Sequence, residues 1–432
     1  MQSRKPRKPM KLSVVVVALG LAAVAACGED GVGGEGGSGS GTATGTGTGS
    51  PPAGTPTFWG DVAPILYDNC VSCHADGGIA PLSLVSYGEA RAVGPAIAGV
   101  TANRTMPPWG ADNTGDCHTW QDARWLSEED IALIAAWVDA DMPEGDPALA
   151  PEMPAPPAGL AEVSATLDIG VEFTPDDSQP DDYRCFLVDP GITQDMFLTA
   201  HHVKPGDPRV VHHVILYSLE TVEAEQEAIA LDAGEAGPGY RCFGGPKVGD
   251  SNFIGGWAPG TPPTIYPAGT GVRLAAGRKA VLQVHYNTVN GAFPDRTKMD
   301  VTLAADVPRE ATIAQIGAYD LVLPPGMKYL AQSSTTSNPA PVPVAVHGVF
   351  PHMHELGVDM RVEANGECLV DVPAWDFNWQ QFYFYEEPVI VDPAADLTIT
   401  CGYSTLGRSE TTFWGDGTQD EMCINFFYVT LP

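Results

Sequence analysis

The sequence stretch Val349-Phe350-Pro351-His352-Met353-His354-Glu355-Leu356-Gly357 places two histidines one residue apart in a β-like context. Side chains on an extended strand alternate between faces, so His352 and His354 should project from the same side. Two imidazoles at that spacing can hold one metal ion. Histidine pairs of this kind also occur on protein surfaces without a metal, so further ligands must decide the role of the motif.

Three other segments supply candidate ligands. They are Val211-His212-His213-Val214, Gln283-Val284-His285-Tyr286 and Asp420-Glu421-Met422-Cys423. Five histidines and one methionine suggest two sites rather than one. A thioether is a soft ligand that suits Cu(I), and imidazole also suits copper. We therefore predict two copper sites with different ligands. One comprises His352, His354 and Met422, and the other comprises His212, His213 and His285.

The adjacent histidines at 212 and 213 raise a geometric problem. Neighbours on a regular strand point to opposite faces, so both can reach one ion only at a bulge or a strand end. The plainer alternative has one of them as a ligand and the other packed in the core. A second adjacent pair, His201 and His202, has no ligand-like segment nearby. We expect this pair and His347 to be hydrogen-bonded sheet histidines.

Together these segments resemble the type II, ascorbate-dependent copper monooxygenases, the family of dopamine β-hydroxylase and peptidylglycine α-hydroxylating monooxygenase. The similarity lies in VVHHVILY, LQVHYN, PHMHELG and GDGTQDEMCIN, and it covers roughly residues 165–432. The resemblance implies that the histidine-only site transfers electrons, with both His212 and His213 as ligands. It also implies that the catalytic site of His352, His354 and Met422 binds and activates O2.

The resemblance implies a copper monooxygenase that hydroxylates a C–H bond of a small organic substrate with O2. It would use two copper ions and an external reductant, either ascorbate-like or a periplasmic electron-donor protein. Phe350 stands where the peptide-amidating branch carries an arginine, which argues against a peptide carboxylate. The run Cys423-Ile424-Asn425-Phe426 is more similar to dopamine β-hydroxylase, and we expect a small apolar or aromatic substrate. We expect Asp420 and Glu421 to be solvated turn carboxylates.

The region from Leu167 onward shows short runs rich in Val, Ile, Phe and Tyr, separated by Gly, Pro and Asp, without long helical periodicity. This pattern predicts an all-β antiparallel sandwich. The family resemblance implies two jelly-roll-like β-sandwich domains. We place the domain with the three-histidine copper at residues 165–310 and the domain with the His-His-Met copper at residues 311–432.

Residues 57–146 contain Cys70-Val71-Ser72-Cys73-His74, the attachment signature of haem c, in which both cysteines anchor the porphyrin and His74 ligates the iron. A redox dithiol and half of a zinc site are the alternatives. Helical patterns flank the motif, so we predict a small all-α cytochrome c-like domain. Met106, between Thr105 and two prolines, is the expected second axial ligand, and Met142 is its rival. Methionine–histidine ligation suits an electron carrier. His118 is expected at the surface.

The N-terminal segment predicts an extracytoplasmic address. Basic residues precede an apolar run from Val14 to Ala26, which is shorter than the ~20 residues of a membrane span. Residues 1–27 are therefore a predicted signal peptide. Val24-Ala25-Ala26-Cys27 resembles a bacterial lipobox, which predicts lipidation of Cys27, with ordinary secretion as the alternative. We expect a disordered Gly/Ser/Thr tether at 28–56, a proline-rich linker at 147–164, and a lipid anchor to the bacterial cell envelope, at the outer membrane or periplasmic side.

Charge and cysteine content restrict the partners and the compartment. The 432-residue chain has a formal net charge of −32, which argues against nucleic acid and against anionic membrane surfaces. Nine cysteines fit an oxidising compartment. The six beyond the lipid and haem positions allow about 15 pairings, so the sequence does not choose among them. The family resemblance implies Cys401 with Cys423. We also expect Cys185 with Cys242, which leaves Cys117 and Cys368 either paired or free.

A second class of function stays open at this stage. The chain could be a haem–copper electron-transfer protein, or a copper-binding lipoprotein, without hydroxylase activity. Possession of all six copper ligands favours the monooxygenase. Reductant-dependent uptake of O2 by the copper-loaded protein would discriminate between the two.

Overall fold

The computed structural model describes residues 54–432, apart from residues 77, 79, 155–158, 416 and 418. The predicted signal peptide, Cys27 and all but the last residues of the predicted tether lie outside the described part of the chain. Within the described part, no helix combines the length and the apolarity that crossing a membrane requires.

A small helical unit precedes the β-structure. Its elements are a π-helical turn Phe58–Val62, α1 (Ala63–Asn69), α2 (Tyr87–Ala92), α3 (Gly94–Ala102), α4 (Glu128–Asp139) and a 3₁₀ turn Pro147–Leu149. Its core buries Phe58, Leu66, Ile134 and Trp137. The Ser127 hydroxyl accepts from the Asp130 amide at 3.0 Å and starts α4 with a capping box. The unit is helical as expected, and its cytochrome c character stays a prediction.

The remainder is predominantly β-structure, as the sequence predicted. The strands before residue 305 are β1 (Ala165–Asp168), β2 (Asp181–Val188), β3 (Met196–Lys204), β4 (Val211–Leu219), β5 (Tyr240–Arg241), β6 (Ser251–Trp257), β7 (Thr264–Ile265), β8 (Thr270–Leu274), β9 (Ala280–Asn287) and β10 (Lys298–Ala304). The strands after it are β11 (Arg309–Gly317), β12 (Val322–Leu323), β13 (Leu330–Ser337), β14 (Val344–His352), β15 (Gly357–Ala364), β16 (Glu367–Val372), β17 (Tyr383–Val391), β18 (Asp396–Tyr403), β19 (Thr412–Phe413) and β20 (Ile424–Thr430).

One nine-stranded sheet runs through both halves of the β-structure, in the order β1-β10-β3-β8-β11-β20-β14-β17, with β7 on β3. A five-stranded sheet, β5-β2-β9-β4-β6, faces it in the first half, and a four-stranded sheet, β13-β18-β15-β16, faces it in the second. The sheet is continuous because β8 pairs with β11 in parallel. The expectation of purely antiparallel pairing is wrong at this pair, and the boundary at residue 310 stays a prediction.

A helix interrupts the β-structure between β4 and β5, contrary to the expectation of no helix there. This helix, α5 (Val222–Gly234), begins where the Thr221 hydroxyl accepts from the Ala224 amide at 3.2 Å. Ala224 and Ala228 pack against the Cys185–Cys242 disulfide. Its alanines and glutamates favour a helix by propensity alone. The helix buries two alanines, so the repeat of apolar residues about every 3.6 positions, which identifies most helices, is weak in its sequence.

The helical unit is joined to the second β-half through the segment 109–124. The Asp112 amide donates to the Asp371 carbonyl, and the Gln121 amide donates to the Phe384 carbonyl, both at 2.8 Å. A disulfide between Cys117 and Cys368 closes the same interface. This pairing resolves the alternative that the sequence left open for the two cysteines.

His118 lies in this interface rather than at the surface, so its predicted exposure is wrong. It is half-buried, its Nε2 lies 3.0 Å from the Cys368 carbonyl, and its ring packs on Tyr385. Local sequence gives no sign of this burial, because the covering groups come from strands about 250 residues away in the chain.

We predict that replacing both Cys117 and Cys368 by serine weakens the docking of segment 109–124. The crosslink spans 251 residues, and loss of a native disulfide typically costs about 2–5 kcal/mol. Hydrogen exchange should accelerate at the Asp112 and Gln121 amides. The Cys185→Ser/Cys242→Ser variant is the matched control and should leave those two amides protected. Equal protection in both variants would show that the disulfide does not hold this interface.

Candidate metal centre

Three histidines of the five-stranded sheet meet on neighbouring strands. His213 on β4 is directly opposite His285 on β9, and the register shifts between Val211 and His213. This irregularity is the bulge that two adjacent ligands require. Candidate ligand atoms of His212, His213 and His285 all lie within 4.8 Å of one another.

A hydrogen bond to Asp181 orients the His285 ring toward the other two histidines. The Nε2–H of His285 donates to Asp181 Oδ1 at 2.9 Å, which leaves its Nδ1 with a lone pair. That Nδ1 lies 3.2 Å from Nδ1 of His213. The Nδ1 of His212 is buried and has no hydrogen-bond partner among the described residues. A buried nitrogen without a partner and two nitrogens facing each other are the arrangement that a metal ion would satisfy.

A second cluster forms at the end of β14. The ring centroids of His352 and His354 lie 5.2 Å apart, so the two side chains share a side as predicted. Nδ1–H of His352 donates to Gln380 Oε1 at 2.6 Å, and Nδ1–H of His354 donates to the Asp420 carbonyl at 3.1 Å. Both histidines therefore keep Nε2 available for a metal.

Met422 reaches this cluster through strand register. His352 pairs with Ile424 across β14 and β20, and Met422, two residues before Ile424, lines the same cavity as His352 and His354. The Tyr403 hydroxyl donates to the Met422 carbonyl at 2.9 Å. Cys401 and Cys423 form the disulfide that the family resemblance implied, directly beside Met422. The expected Cys185–Cys242 disulfide is also confirmed.

Glu421 is the residue of this cluster that sequence reasoning missed. It is completely buried, so its expected place in a solvated turn is wrong. Its carboxylate accepts from the backbone amides of His354 at 3.0 Å, Leu356 at 2.6 Å and Met422 at 3.2 Å. Burial raises the pKa of Glu421 to about 7. One side chain thus ties the histidine segment to the methionine segment.

The histidines of both clusters are held neutral. Burial lowers the pKa of His352 to about 3 and that of His212 to about 4. Burial also lowers the pKa of His213, His285 and His354. A metal ion needs the unprotonated imidazole, so protons do not compete for these nitrogens near neutral pH.

Both clusters line one cavity of about 380 Å³, which also includes Met422. Phe377 lies between the clusters. Its ring stacks on His212 with centroids 5.1 Å apart and meets His354 at 6.1 Å. Phe377 belongs to the loop 373–382, between β16 and β17. The same loop supplies Gln380, the partner of His352.

The loop 373–382 also contacts the first β-half. A Cβ at Gly260 would lie 2.1 Å from the Trp379 ring, so only glycine permits this approach. The φ of Gly260, +82°, demands glycine independently. The cluster of aromatic and glutamine residues, Trp375-Asp376-Phe377-Asn378-Trp379-Gln380-Gln381, was the available sequence signal for this loop.

The predicted haem attachment segment follows α1. Within the described residues, Cys70 and Cys73 are the cysteines outside disulfides. His74 Nδ1 lies 3.1 Å from the Leu82 carbonyl, which leaves Nε2 available as an iron ligand. Met106 lines a small pocket with Arg124. Met142, the rival, packs instead against Gly94 near Trp137. The assignment of Met106 rather than Met142 as the second axial ligand stays a prediction.

The histidines that were expected to be hydrogen-bonded within the sheet have different surroundings in the structure. His347 Nε2 lies 2.9 Å from the Thr430 hydroxyl, so this histidine is hydrogen-bonded as expected. His201 is buried, and neither ring nitrogen has a partner among the described residues, so the expectation is wrong there. Its ring packs near Tyr266 and over Gly255, and burial lowers its pKa to about 4. His202 Nδ1 also lacks a partner within the described chain.

We predict that Glu421→Ala lowers the affinity of the His352 cluster for Cu(I) by about 10–100-fold. The substitution leaves three buried amides without an acceptor, so the segments carrying His354 and Met422 lose their common anchor. Competitive titration with a Cu(I) chelator measures the effect. Glu355→Ala is the control, because Glu355 is exposed and adjacent to His354. Equal affinity in the two variants would show that Glu421 does not position the ligands.

Part of the chain that forms this site is similar to a known protein family. Residues 309–430 match the family model described as copper type II ascorbate-dependent monooxygenase, C-terminal domain. Peptidyl-glycine alpha-amidating monooxygenase A of Xenopus laevis is 27% identical over 271 residues, 56% of this chain and 27% of that protein. DBH-like monooxygenase protein 1 of Gallus gallus is 27% identical over 261 residues, 52% of this chain and 41% of that protein.

A third relative, peptidyl-glycine alpha-amidating monooxygenase of Mus musculus, is 28% identical over 269 residues, 60% of this chain and 26% of that protein. The matches therefore span less than half the length of these relatives. The segment matched by the family model contains His352, His354 and Met422. The part of the chain that forms the second cluster thus matches the C-terminal domain of the copper type II, ascorbate-dependent monooxygenases.

Proposed function

We propose that this protein is a copper-dependent monooxygenase that hydroxylates a C–H bond of a small organic substrate with O2, with electrons relayed through an attached haem c. The observation that carries the proposal is that two ligand clusters of different composition line the same cavity. The match of residues 309–430 to the monooxygenase model supports the same reading.

The reaction explains why two unlike sites share one cavity. Hydroxylation with O2 consumes two electrons and two protons and yields an alcohol and water. Copper bound at each cluster would supply one electron. The thioether of Met422 favours Cu(I) at its cluster, whereas three imidazoles suit either oxidation state. We assign O2 activation to the cluster of His352, His354 and Met422, and electron storage to the three histidines.

The chain's own residues prepare both clusters. Asp181 and Gln380 fix the tautomers of His285 and His352, so each ring presents one defined nitrogen. The ring of Phe377 lies between the clusters and would exclude water from the volume that it occupies. Exclusion of water protects a reactive site from side reactions.

The proposed haem relay is supported by contacts between the helical unit and the loop 373–382. Arg124 lines a small pocket together with Met106, the predicted axial ligand. An Nη2 of Arg124 donates to Gln381 Oε1 at 3.1 Å. The adjacent Gln380 bonds His352. Arg124 and the two glutamines thus link the surroundings of Met106 to a candidate copper ligand.

We also propose that the protein is held at the bacterial cell envelope by lipid on Cys27. This part of the proposal rests on the lipobox-like sequence before Cys27. An external donor protein or an ascorbate-like reductant would supply the electrons in that compartment.

Met422→Ala should abolish reductant-dependent uptake of O2 and lower the bound copper from two ions to one. The thioether belongs to one cluster, so the three-histidine site should stay filled. Metal analysis and an oxygen electrode with a panel of small molecules measure both effects. Met327→Ala, at a half-exposed methionine outside the cavity, is the control. Unchanged turnover in Met422→Ala would show that Met422 is not a ligand of the site. If the unmodified protein took up no O2, the alternative function of electron transfer or copper binding alone would be favoured.

The relay gives a separate prediction. Cys73→Ala should impair covalent attachment of haem, and substitution of Met106 should shift the haem potential. Cys73→Ala and Arg124→Gln should both slow reduction of copper by a periplasmic donor without changing copper content. Stopped-flow absorbance and loss of the Cu(II) EPR signal follow that step. Arg91→Gln is the control, because Arg91 lies in the same helical unit and bonds Asp141. Full-rate reduction in Cys73→Ala would overturn the relay and leave the monooxygenase proposal standing.

A further inference from the structure

The cavity between the two clusters has an uncharged wall. Its aromatic lining includes Phe253, Trp257, Phe350, Phe377, Trp414 and Phe426. No Asp, Glu, Lys or Arg of the described residues lines it. Its volume of about 380 Å³ lies within the usual range for small-molecule sites.

Three of these rings, Phe253, Phe350 and Phe426, form a continuous surface. Phe253 on β6 stacks on Phe426 of β20 with centroids 4.9 Å apart. Phe350 on β14 meets Phe426 edge-on at 6.0 Å. The wall therefore joins the five-stranded sheet of the first half to the nine-stranded sheet, and a ligand lying on it would touch both.

The glutamine amides of the lining are already engaged, while the buried Nε1–H of Trp414 is a neutral donor without a partner among the described residues. Gln380 bonds His352 through its oxygen and the Phe377 carbonyl through its nitrogen. Gln283 donates to the Cys242 carbonyl at 2.8 Å, and Gln315 donates to the Tyr319 hydroxyl at 3.1 Å. These amides have few groups left with which to replace the water around an ionic ligand.

We infer that the substrate of this site is a neutral aromatic molecule rather than an amine or a carboxylate. The inference rests on the proposed function, since it names the substrate class of the same cavity. A charged group entering the cavity would lose its water and find no side chain of opposite charge among the described lining residues, which is strongly unfavourable. Cu(I) bound at the clusters would repel an ammonium, and as a soft ion it suits a carboxylate oxygen poorly. A neutral ring gains from apolar burial and from contact with the aromatic side chains.

Three probes that share a phenyl ring and differ in charge test the inference. They are ethylbenzene, 2-phenylethylamine and 3-phenylpropionate. Binding is measured calorimetrically on the full-length protein loaded with Cu(I), with O2 excluded so that no turnover occurs. We expect ethylbenzene to bind at least about tenfold more tightly than either ion. Tighter or equal binding of the amine or the carboxylate, or no binding of ethylbenzene, would overturn the inference.

A charge introduced into the wall provides the second arm. In Phe253→Lys, the long stem of lysine can follow the half-buried surface and place an ammonium at the cavity. The relative affinity for 3-phenylpropionate over ethylbenzene should rise about tenfold. Phe413→Lys adds the same charge at an exposed phenylalanine outside the cavity and should leave the ratio unchanged. An equal shift in both variants would mean that the net charge of the protein, not the cavity wall, sets the preference.

The outcomes separate this inference from the proposed function. Preferential binding of ethylbenzene without any product under O2 and reductant would retain the neutral aromatic site and reject the monooxygenase. Hydroxylation confined to the amine or the carboxylate would do the reverse.

Thermal unfolding of Phe253→Lys confirms that the variant is folded. Should it be unfolded, Phe426→Lys, at another half-buried position of the same wall, replaces it.

Discussion

The register of β14 against β20 is the constraint on which the candidate site depends. It sets His352 opposite Ile424, and Met422, two residues before Ile424, lines the same cavity as His352 and His354. A slip of one residue would turn the paired side chains to opposite faces and dismantle the cluster. Two features just before the first residue of β20 hinder such a slip: the Cys401–Cys423 disulfide and the hydrogen bonds of the Glu421 carboxylate. Because β20 also pairs with β11, and β11 with β8, the same strand connects this cluster to the first half of the protein.

The loop 373–382 of the second β-half contacts both the first β-half and the helical unit, so the positions of these three parts depend on one another. Phe377 touches one histidine of each cluster, and Trp379 packs over Gly260 of the first half. Gln381 receives a hydrogen bond from Arg124 of the helical unit. A shift of this loop would therefore alter both clusters and the contact with the helical unit together. Two sandwiches joined only by a hinge at residue 310 could move independently of each other. The continuous sheet and the shared loop instead couple the two β-halves.

The sequence was most informative where a short pattern determines the structure. The alternation around His352, the bulge required by His212 and the capping box at Ser127 all follow from neighbours within four residues. The burial of Glu421 and His118 could not be predicted, because strands distant in the chain supply the covering groups. Glu421 resembles any turn carboxylate until the amides of the His354 segment are packed against it. The parallel pairing of β8 with β11 is likewise a tertiary choice that no local pattern encodes.

Burial links the state of the ligands to the character of the cavity. Desolvation lowers the pKa of His352 to about 3, so the imidazole is ready for a metal without releasing a proton. The same scarcity of water makes any unpaired ion costly at the cavity wall. A wall with charged groups would bring water with it and weaken the desolvation that keeps the histidines neutral. The low pKa of the buried histidines and the proposed preference for a neutral substrate are therefore two consequences of the same burial.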